Sequence, residues 1–263
     1  MRIAEIFRSF QGEGFLTGTE SVFVRASGCN LRCWFCDTPY ASWRAEGESM
    51  SVDAIVARVE QLAEVGESPA TQEARSRALA GVAARNHLPA VGAVAPERIG
   101  HVVLTGGEPM LFAEVVPLSE ALRRRRYHVT IETAGTVYRP AACDLMSISP
   151  KLSSSVPAGR HDAGWAARHE RTRHVPDVIR RLTADWPYQV KFVIDSLDDC
   201  REVERYLAEF PEIDRARVML MPQGTDRDGL DRKARWLRPY CESHGLIFCP
   251  RRQIEWYGLE RGT

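Results

Sequence analysis

The sequence predicts an α/β fold in which parallel strands alternate with helices and curl into a barrel or part of one. Two observations carry that expectation. Short apolar runs rich in Val, Ile and Phe recur along the 263 residues, with helical patterns between most of them, and that alternation is the mark of βαβ units. The residues of chemical character then follow the runs: a trio of cysteines after the first, Gly-Gly-Glu-Pro after the second, Ser-Pro-Lys after the fourth. Loops beyond the C-terminal ends of parallel strands are where such folds collect their chemistry.

Taken in order, strands are expected at 21–26, 101–105, 128–133, 145–149, 189–194, 217–221 and 246–249, and helices at 52–63, 114–125, 175–185, 197–210 and 228–244. The strand candidates carry the β-branched and aromatic residues that suit a pleated surface. Ser196 or Asp198 can cap the helix 197–210, and Pro176 suits the first turn of 175–185, where a missing N–H costs nothing. Two stretches read as insertions into a single domain spanning 1–263. Residues 64–100 are Ala-rich and polar, with a helical piece near 71–86; residues 152–174 hold Ser153, Ser154, Ser155, Gly159 and Gly164 among charges and read as a long loop, a lid or binding segment.

Thirty-five basic residues balance thirty-five acidic ones, which argues against a general nucleic-acid binder with its basic excess. No window approaches the roughly eighteen apolar residues of a membrane span. The N-terminus, MRIAEIFRSFQGEGF, shows no apolar signal core. A soluble, cytoplasmic protein is expected.

Of seven cysteines, Cys29, Cys33 and Cys36 stand together in GCNLRCWFCDT, a C-x3-C-x2-C pattern, while Cys143, Cys200, Cys241 and Cys249 are scattered. The scattered four suit packing, since free Cys behaves as a small hydrophobe. An odd count with such crowding is not a disulfide framework and points to metal. Thiolates suit zinc or iron–sulfur iron. Three is the informative number: structural zinc and electron-transfer cubanes take four protein ligands, whereas three cysteines on a 4Fe–4S cubane leave one iron open to a small molecule such as S-adenosylmethionine (SAM). A zinc module remains the alternative, with a His or Asp37 as fourth ligand, although no His lies near the motif in sequence.

On this cysteine pattern, with an aromatic (Phe35) before the last thiol, the chain resembles the radical SAM superfamily. The resemblance implies a full or partial βα barrel of (βα)6 type, with the cluster in the loop after the first strand. Gly106-Gly107-Glu108-Pro109 resembles the superfamily's GGEP motif, in which backbone edge and Glu take the SAM amino group; glycines permit close approach and a carboxylate pairs with an ammonium. Ser149, Pro150 and Lys151 could contact the SAM ribose or carboxylate, and Met221, Pro222, Gln223 and Gly224 could frame the adenine.

Glu5-Ile6-Phe7, Ser9-Phe10-Gln11-Gly12-Glu13-Gly14, CDTPYA after the cysteines, IETAGT at 131–136 and SISPKL together resemble the 7-carboxy-7-deazaguanine synthase family, from residue 2 to near the C-terminus apart from 64–100. The resemblance implies a lyase that converts 6-carboxy-5,6,7,8-tetrahydropterin to 7-carboxy-7-deazaguanine with loss of ammonia, using SAM as a regenerated cofactor. It also implies Mg2+ held at Thr38, a flavodoxin- or ferredoxin-type electron donor and a homodimer. Phe10, Gln11, Gly12, Glu13, Arg25 and Thr105 are its pterin-binding positions, and Thr133 joins the SAM set. Arg25 is the natural partner of the substrate carboxylate by bidentate contact, although a structural carboxylate could claim it, and Glu13 could be a solvated loop acid. Lys191 shares a strand face with Gln189, and if that face is interior the lysine must be paired or functional, which makes it a candidate catalytic residue near SAM; Asp195 reads as the strand's end. Gln253 stands where the family often has a His, so it can hydrogen-bond a pterin but not titrate. His161, His169 and His174 read as surface residues. A related alternative is an activating enzyme that installs a glycyl radical on a partner protein.

Overall fold

The structure, a computed structural model, describes residues 1–64, 98–157 and 163–262. The chain opens with β1 (Arg2–Phe10), antiparallel to β2 (Glu20–Ala26) on one side and to the two-residue β3 (Glu48–Ser49) on the other. From β2 onward, β4 (His101–Gly106), β5 (His128–Thr133), β6 (Leu145–Ile148), β7 (Tyr188–Ile194), β8 (Val218–Pro222) and β9 (Ile247–Phe248) add in parallel. The result is one nine-stranded sheet, β3-β1-β2-β4-β5-β6-β7-β8-β9. It does not close on itself: the fold is a partial barrel.

The inner strands form because they are apolar on both faces, as strands covered on both sides must be. Val22, Val102, Val129, Val190, Phe192 and Leu220 are wholly buried. They pack under the apolar stripes of α1 (Val52–Ala63), α2 (Val115–Arg124), α4 (Pro176–Asp185), α5 (Leu197–Glu209) and α6 (Arg227–His244). Ends are capped as local chemistry dictates. Ser51 accepts the Ala54 N–H (3.2 Å) and Asp226 the Gly229 N–H (2.7 Å). Pro176 opens α4, and Ser196 is the N-cap of α5, where Asp199 accepts the Ser196 N–H at 2.8 Å.

Three differences from the sequence reading matter. β1 was not among the expected strands, because its polar and apolar residues alternate only loosely. Residues 152–174 are not loop throughout: Ser153–Ser155 form a 3-10 turn, and α3 (Ala163–Thr172) is a helix that buries His169 completely. His169 is therefore not a surface residue; His174 is half-exposed and pairs with Glu209 at 3.0 Å, and His161 lies outside the described residues. Most of the expected insertion 64–100, including the helical piece 71–86, also lies outside them. Among the described residues no helix is long and apolar enough to cross a membrane.

Candidate functional site

A cavity of about 350 Å³ opens beyond the C-terminal ends of the parallel strands, walled by the loops after β1 and β2, the ends of β4 to β8, and the segment around α7 (Arg252–Tyr257) with the tail behind it.

Cys29, Cys33 and Cys36 all line it, on the loop that β2 feeds. Leu31, Phe35 and Ala134 pack around them as a small apolar cluster. Burial pushes the Cys29 thiol up to about 12 and the Cys33 thiol up to about 11, so a metal must displace their protons. No fourth protein ligand stands ready among the described residues. Asp37 is ion-paired with Arg251. His169, which does lie against this loop in space, has both ring nitrogens engaged by Arg32 N (3.1 Å) and Ser155 Oγ (2.8 Å). Among the described residues no three such side chains are gathered tightly enough to hold one metal ion, as thiols serving separate corners of a cluster need not be. The donor set fits a three-cysteine cubane and disfavours four-coordinate zinc.

The Gly106-Gly107 pair is glycine because the cysteine loop lies directly on it. A Cβ at Gly106 (φ +136°) would sit 2.2 Å from Ala26 O, and one at Gly107 2.2 Å from Gly28 O. Backbone bonds from Gly107 N to Ala26 O (3.0 Å) and Glu108 N to Gly28 O (2.8 Å) fix the contact. Glu108 follows the pair in the same turn. It is fully buried, does not line the cavity, and its carboxylate accepts from Ala134 N (2.7 Å), Met110 N (3.0 Å) and Thr133 Oγ1 (2.9 Å). Burial raises its pKa. Its carboxylate ties β4 to β5 and presents Gly106 and Gly107 to the cavity rather than reaching into it.

Ser149 and Lys151 line the cavity, the Lys151 ammonium donating to Ser149 O (2.8 Å) and Oγ (2.7 Å). Thr133, Met221 and Gln223 also line it, whereas Pro150, Pro222 and Gly224 do not. Gly224 instead accepts from Arg251 through its carbonyl (2.6 Å).

The same cavity is lined by a belt of buried and partly buried polar groups. Glu13 is no solvated acid: it is ion-paired with Lys191, takes the Gln253 amide N–H at 2.5 Å and lies 3.4 Å from Arg251 Nε. Burial alone would raise its pKa, but Lys191 and Arg251 outweigh that and hold it at about 2. Lys191 is only 6% exposed, so its strand face is interior. Beside this pair, Gln11 donates to Glu132 Oε1 (3.0 Å) and Thr105 to Glu132 Oε2 (2.7 Å). Phe10, Gly12, Thr38 and Arg25 complete the wall. Arg25 is claimed by Glu5 (2.6 Å) and stacks over Phe7. Asp195 follows β7 and pairs with Lys233 at 2.5 Å. Sequence reasoning missed Glu132 and Arg251 as cavity residues. Glu132 lies in the quoted IETAGT run, where strand alternation could have found it; nothing local marks which of the tandem arginines 251 and 252 is buried.

An open, mostly parallel sheet whose first parallel strand feeds a three-cysteine loop and whose next strand ends in Gly-Gly is the partial barrel that the sequence resemblance implies. Curated relatives narrow the class. The chain is 42% identical to 7-carboxy-7-deazaguanine synthase of Rhodopirellula baltica, over 99% of this chain and 88% of the relative. It is 39% identical to that of Halobacterium salinarum (96% and 88%) and 30% identical to that of Pyrobaculum aerophilum (100% and 97%). The chain belongs to the 7-carboxy-7-deazaguanine synthase family, a family of enzymes. The crystal structure of QueE from Escherichia coli shares the fold at a TM-score of 0.58 and 22% identity, over 95% of this chain and 93% of that one. No protein-family profile matches.

Proposed function

We propose that the protein is a lyase that contracts the pyrazine ring of 6-carboxy-5,6,7,8-tetrahydropterin to give 7-carboxy-7-deazaguanine and ammonia, with SAM as a regenerated cofactor. The observation that carries this reading is one cavity lined both by the three thiols and by a belt of polar groups, Gln11–Glu132–Thr105 and Lys191–Glu13–Gln253, in which the buried Gln253 Oε1 has no protein partner. Bound to Cys29, Cys33 and Cys36, the cluster would supply the electron that cleaves SAM and so starts and ends hydrogen transfer at the pterin. Gly106, Gly107, Thr133, Ser149, Lys151, Met221 and Gln223 line the same cavity and would hold SAM there. Gln11, Glu13, Glu132 and Gln253 offer the paired donors and acceptors that match a pterin edge, with Phe10 and Gly12 as the adjoining wall. Thr105 stands between the two ligands. Arg25 is pre-aimed by Glu5, which leaves further guanidinium N–H groups for the substrate carboxylate. The Thr38 hydroxyl fits Mg2+, a hard ion that takes few protein ligands beside substrate oxygens. A flavodoxin or ferredoxin as donor, a homodimer and a cytoplasmic setting complete the reading.

The test is an anaerobic incubation with SAM, Mg2+, dithionite and the carboxypterin. Formation of 7-carboxy-7-deazaguanine, detected by mass, with little net loss of SAM is expected. Reconstituted protein that cleaves SAM but leaves the pterin unchanged overturns the proposal. Thr38→Val should raise the Mg2+ needed for half-maximal rate about tenfold while leaving the iron content unchanged.

A further inference from the structure

The insertion after β6 grips the cysteine loop at one residue in each of the two gaps between its thiols. Arg32 lies between Cys29 and Cys33, and its backbone N–H donates to His169 Nδ1 at 3.1 Å. Its guanidinium donates to Cys29 O (2.8 Å) and Leu31 O (2.7 Å) and lies 4.0 Å over the Trp165 ring of α3. Trp34 lies between Cys33 and Cys36. Its backbone N–H donates to Ser155 O (3.2 Å) and its indole N–H to Ser154 O (2.8 Å).

The tautomer of His169 follows from the bonds. Ser155 Oγ donates its one proton to Leu152 O at 2.6 Å, so toward His169 Nε2 (2.8 Å) it accepts. Nε2 therefore carries the proton, and Nδ1 keeps a lone pair for the Arg32 N–H. His169 and Ser155 are each 0% exposed; no water competes, and an imidazolium would set two N–H groups against each other. A ring locked in this way behaves as a fixed backbone acceptor, and it is the same use of a second-layer partner that orients ligands in metal sites.

We infer that His169 is a positioning residue for the cluster. Held by Ser155, it fixes the Cys29–Cys33 turn and keeps the Arg32 N–H directed away from the cluster, so that the insertion sets both how firmly the three thiols grip and the reduction potential of what they hold. Hydrogen bonds to cluster sulfur are one of the protein's levers on that potential. The inference rests on the three-cysteine cluster of the proposed function.

Two substitutions separate positioning from bulk packing. His169→Asn keeps an acceptor near the Nδ1 position; His169→Leu removes it at similar volume. Holoenzyme is reconstituted anaerobically, and iron per chain, the rate of iron loss to a chelator, the midpoint potential by electron paramagnetic resonance, and the melting temperature are measured. Wild type should hold four irons. His169→Leu should lose iron about tenfold faster with a shifted potential, and His169→Asn should stay close to wild type, although both melt lower. Trp34→Phe, on a half-exposed side chain, should speed iron loss a few-fold with little change in melting. Unchanged iron loss and potential in His169→Leu overturn the inference, as does iron loss that merely tracks melting temperature across the variants. If His169→Leu does not fold, Trp34→Phe decides: wild-type iron retention overturns it. Wild-type protein without iron overturns the cluster reading itself, a different result from any of these.

Discussion

Lys191 reaches from β7 to Glu13 on the loop after β1, closing an ion pair across 178 residues of sequence with both partners inside the cavity wall. Neither charge would survive there alone. Removing one partner of such a pair costs about 3–5 kcal/mol, because the other is left uncompensated. The two sides are not equivalent, since Glu13 also faces Arg251. Glu13→Gln leaves two cations around a neutral amide, whereas Lys191→Met leaves Glu13 one remaining partner. We predict that both variants melt lower and that Glu13→Gln melts lowest, measured by thermal denaturation at neutral pH. The sign with pH follows from Glu13's depressed pKa: its contribution is complete above the ordinary carboxylate value and is lost as pH falls toward about 2.

The fold was largely legible because its inner strands are buried on both faces and so are continuous apolar runs; His101–Gly106 and Tyr188–Ile194 could be little else. β1 escaped because an edge region of the sheet leaves most of its residues half-buried, which blurs the alternation. α3 escaped because it buries little besides His169, and its polar surface looks like a loop. The cysteines and the Gly-Gly turn declared themselves by spacing. Glu108 did not, since whether a carboxylate in that turn faces the cavity or the neighbouring strand depends on the N–H groups of Ala134 and Met110, which are distant in sequence or invisible in it. Arg251 was hidden for a similar reason: its partners Asp37, Glu13 and Gly224 come from three other segments.

Cys29, Cys33 and Cys36 should each be indispensable for iron. Replacing any one by Ala should leave well under half the wild-type iron after anaerobic reconstitution, by iron and sulfide assay. Cys249 provides the contrast. It is also buried, but its sulfur accepts the Gly14 N–H at 3.3 Å and packs with Met219 and Met221, apart from the other three thiols. Cys249→Ser should keep the full iron complement. Loss of iron there, or its retention in Cys33→Ala, would reassign the ligands.

Glu132 holds Gln11 and Thr105 with one oxygen each, so it fixes the polar belt as a unit. In Glu132→Met, similar in size, both acceptor oxygens are gone and both bonds are lost. A lost hydrogen bond to a charged, buried acceptor is worth about 1.5–3 kcal/mol, or roughly ten- to hundredfold. We predict that loss in kcat/KM for the carboxypterin, with substrate-independent SAM cleavage within about twofold of wild type. Equal losses in both would place Glu132 at the SAM side instead.

His101 supplies a pH dependence remote from the chemistry. It is 4% exposed at the start of β4, bonded through Nδ1 to Ser21 Oγ (2.5 Å) and through Nε2 to Thr130 Oγ1 (2.9 Å). His128 packs against its ring at 4.9 Å, and Asp144 is the acid whose charge reaches it. Burial, and then His128, lower its pKa to about 4. The unfolded chain therefore takes up this proton first, near its ordinary value of about 6.5. Stability from the neutral ring is complete above about 6.5 and drains away as pH falls toward about 4. At about 1.4 kcal/mol for each tenfold in proton affinity, that interval is worth about 3 kcal/mol. Urea unfolding between pH 7.5 and 4 should show a loss of that order, and His101→Gln, less stable at neutral pH, should show a visibly flatter curve. Parallel curves for the two proteins would mean that other groups, not this imidazole, set the acid limit.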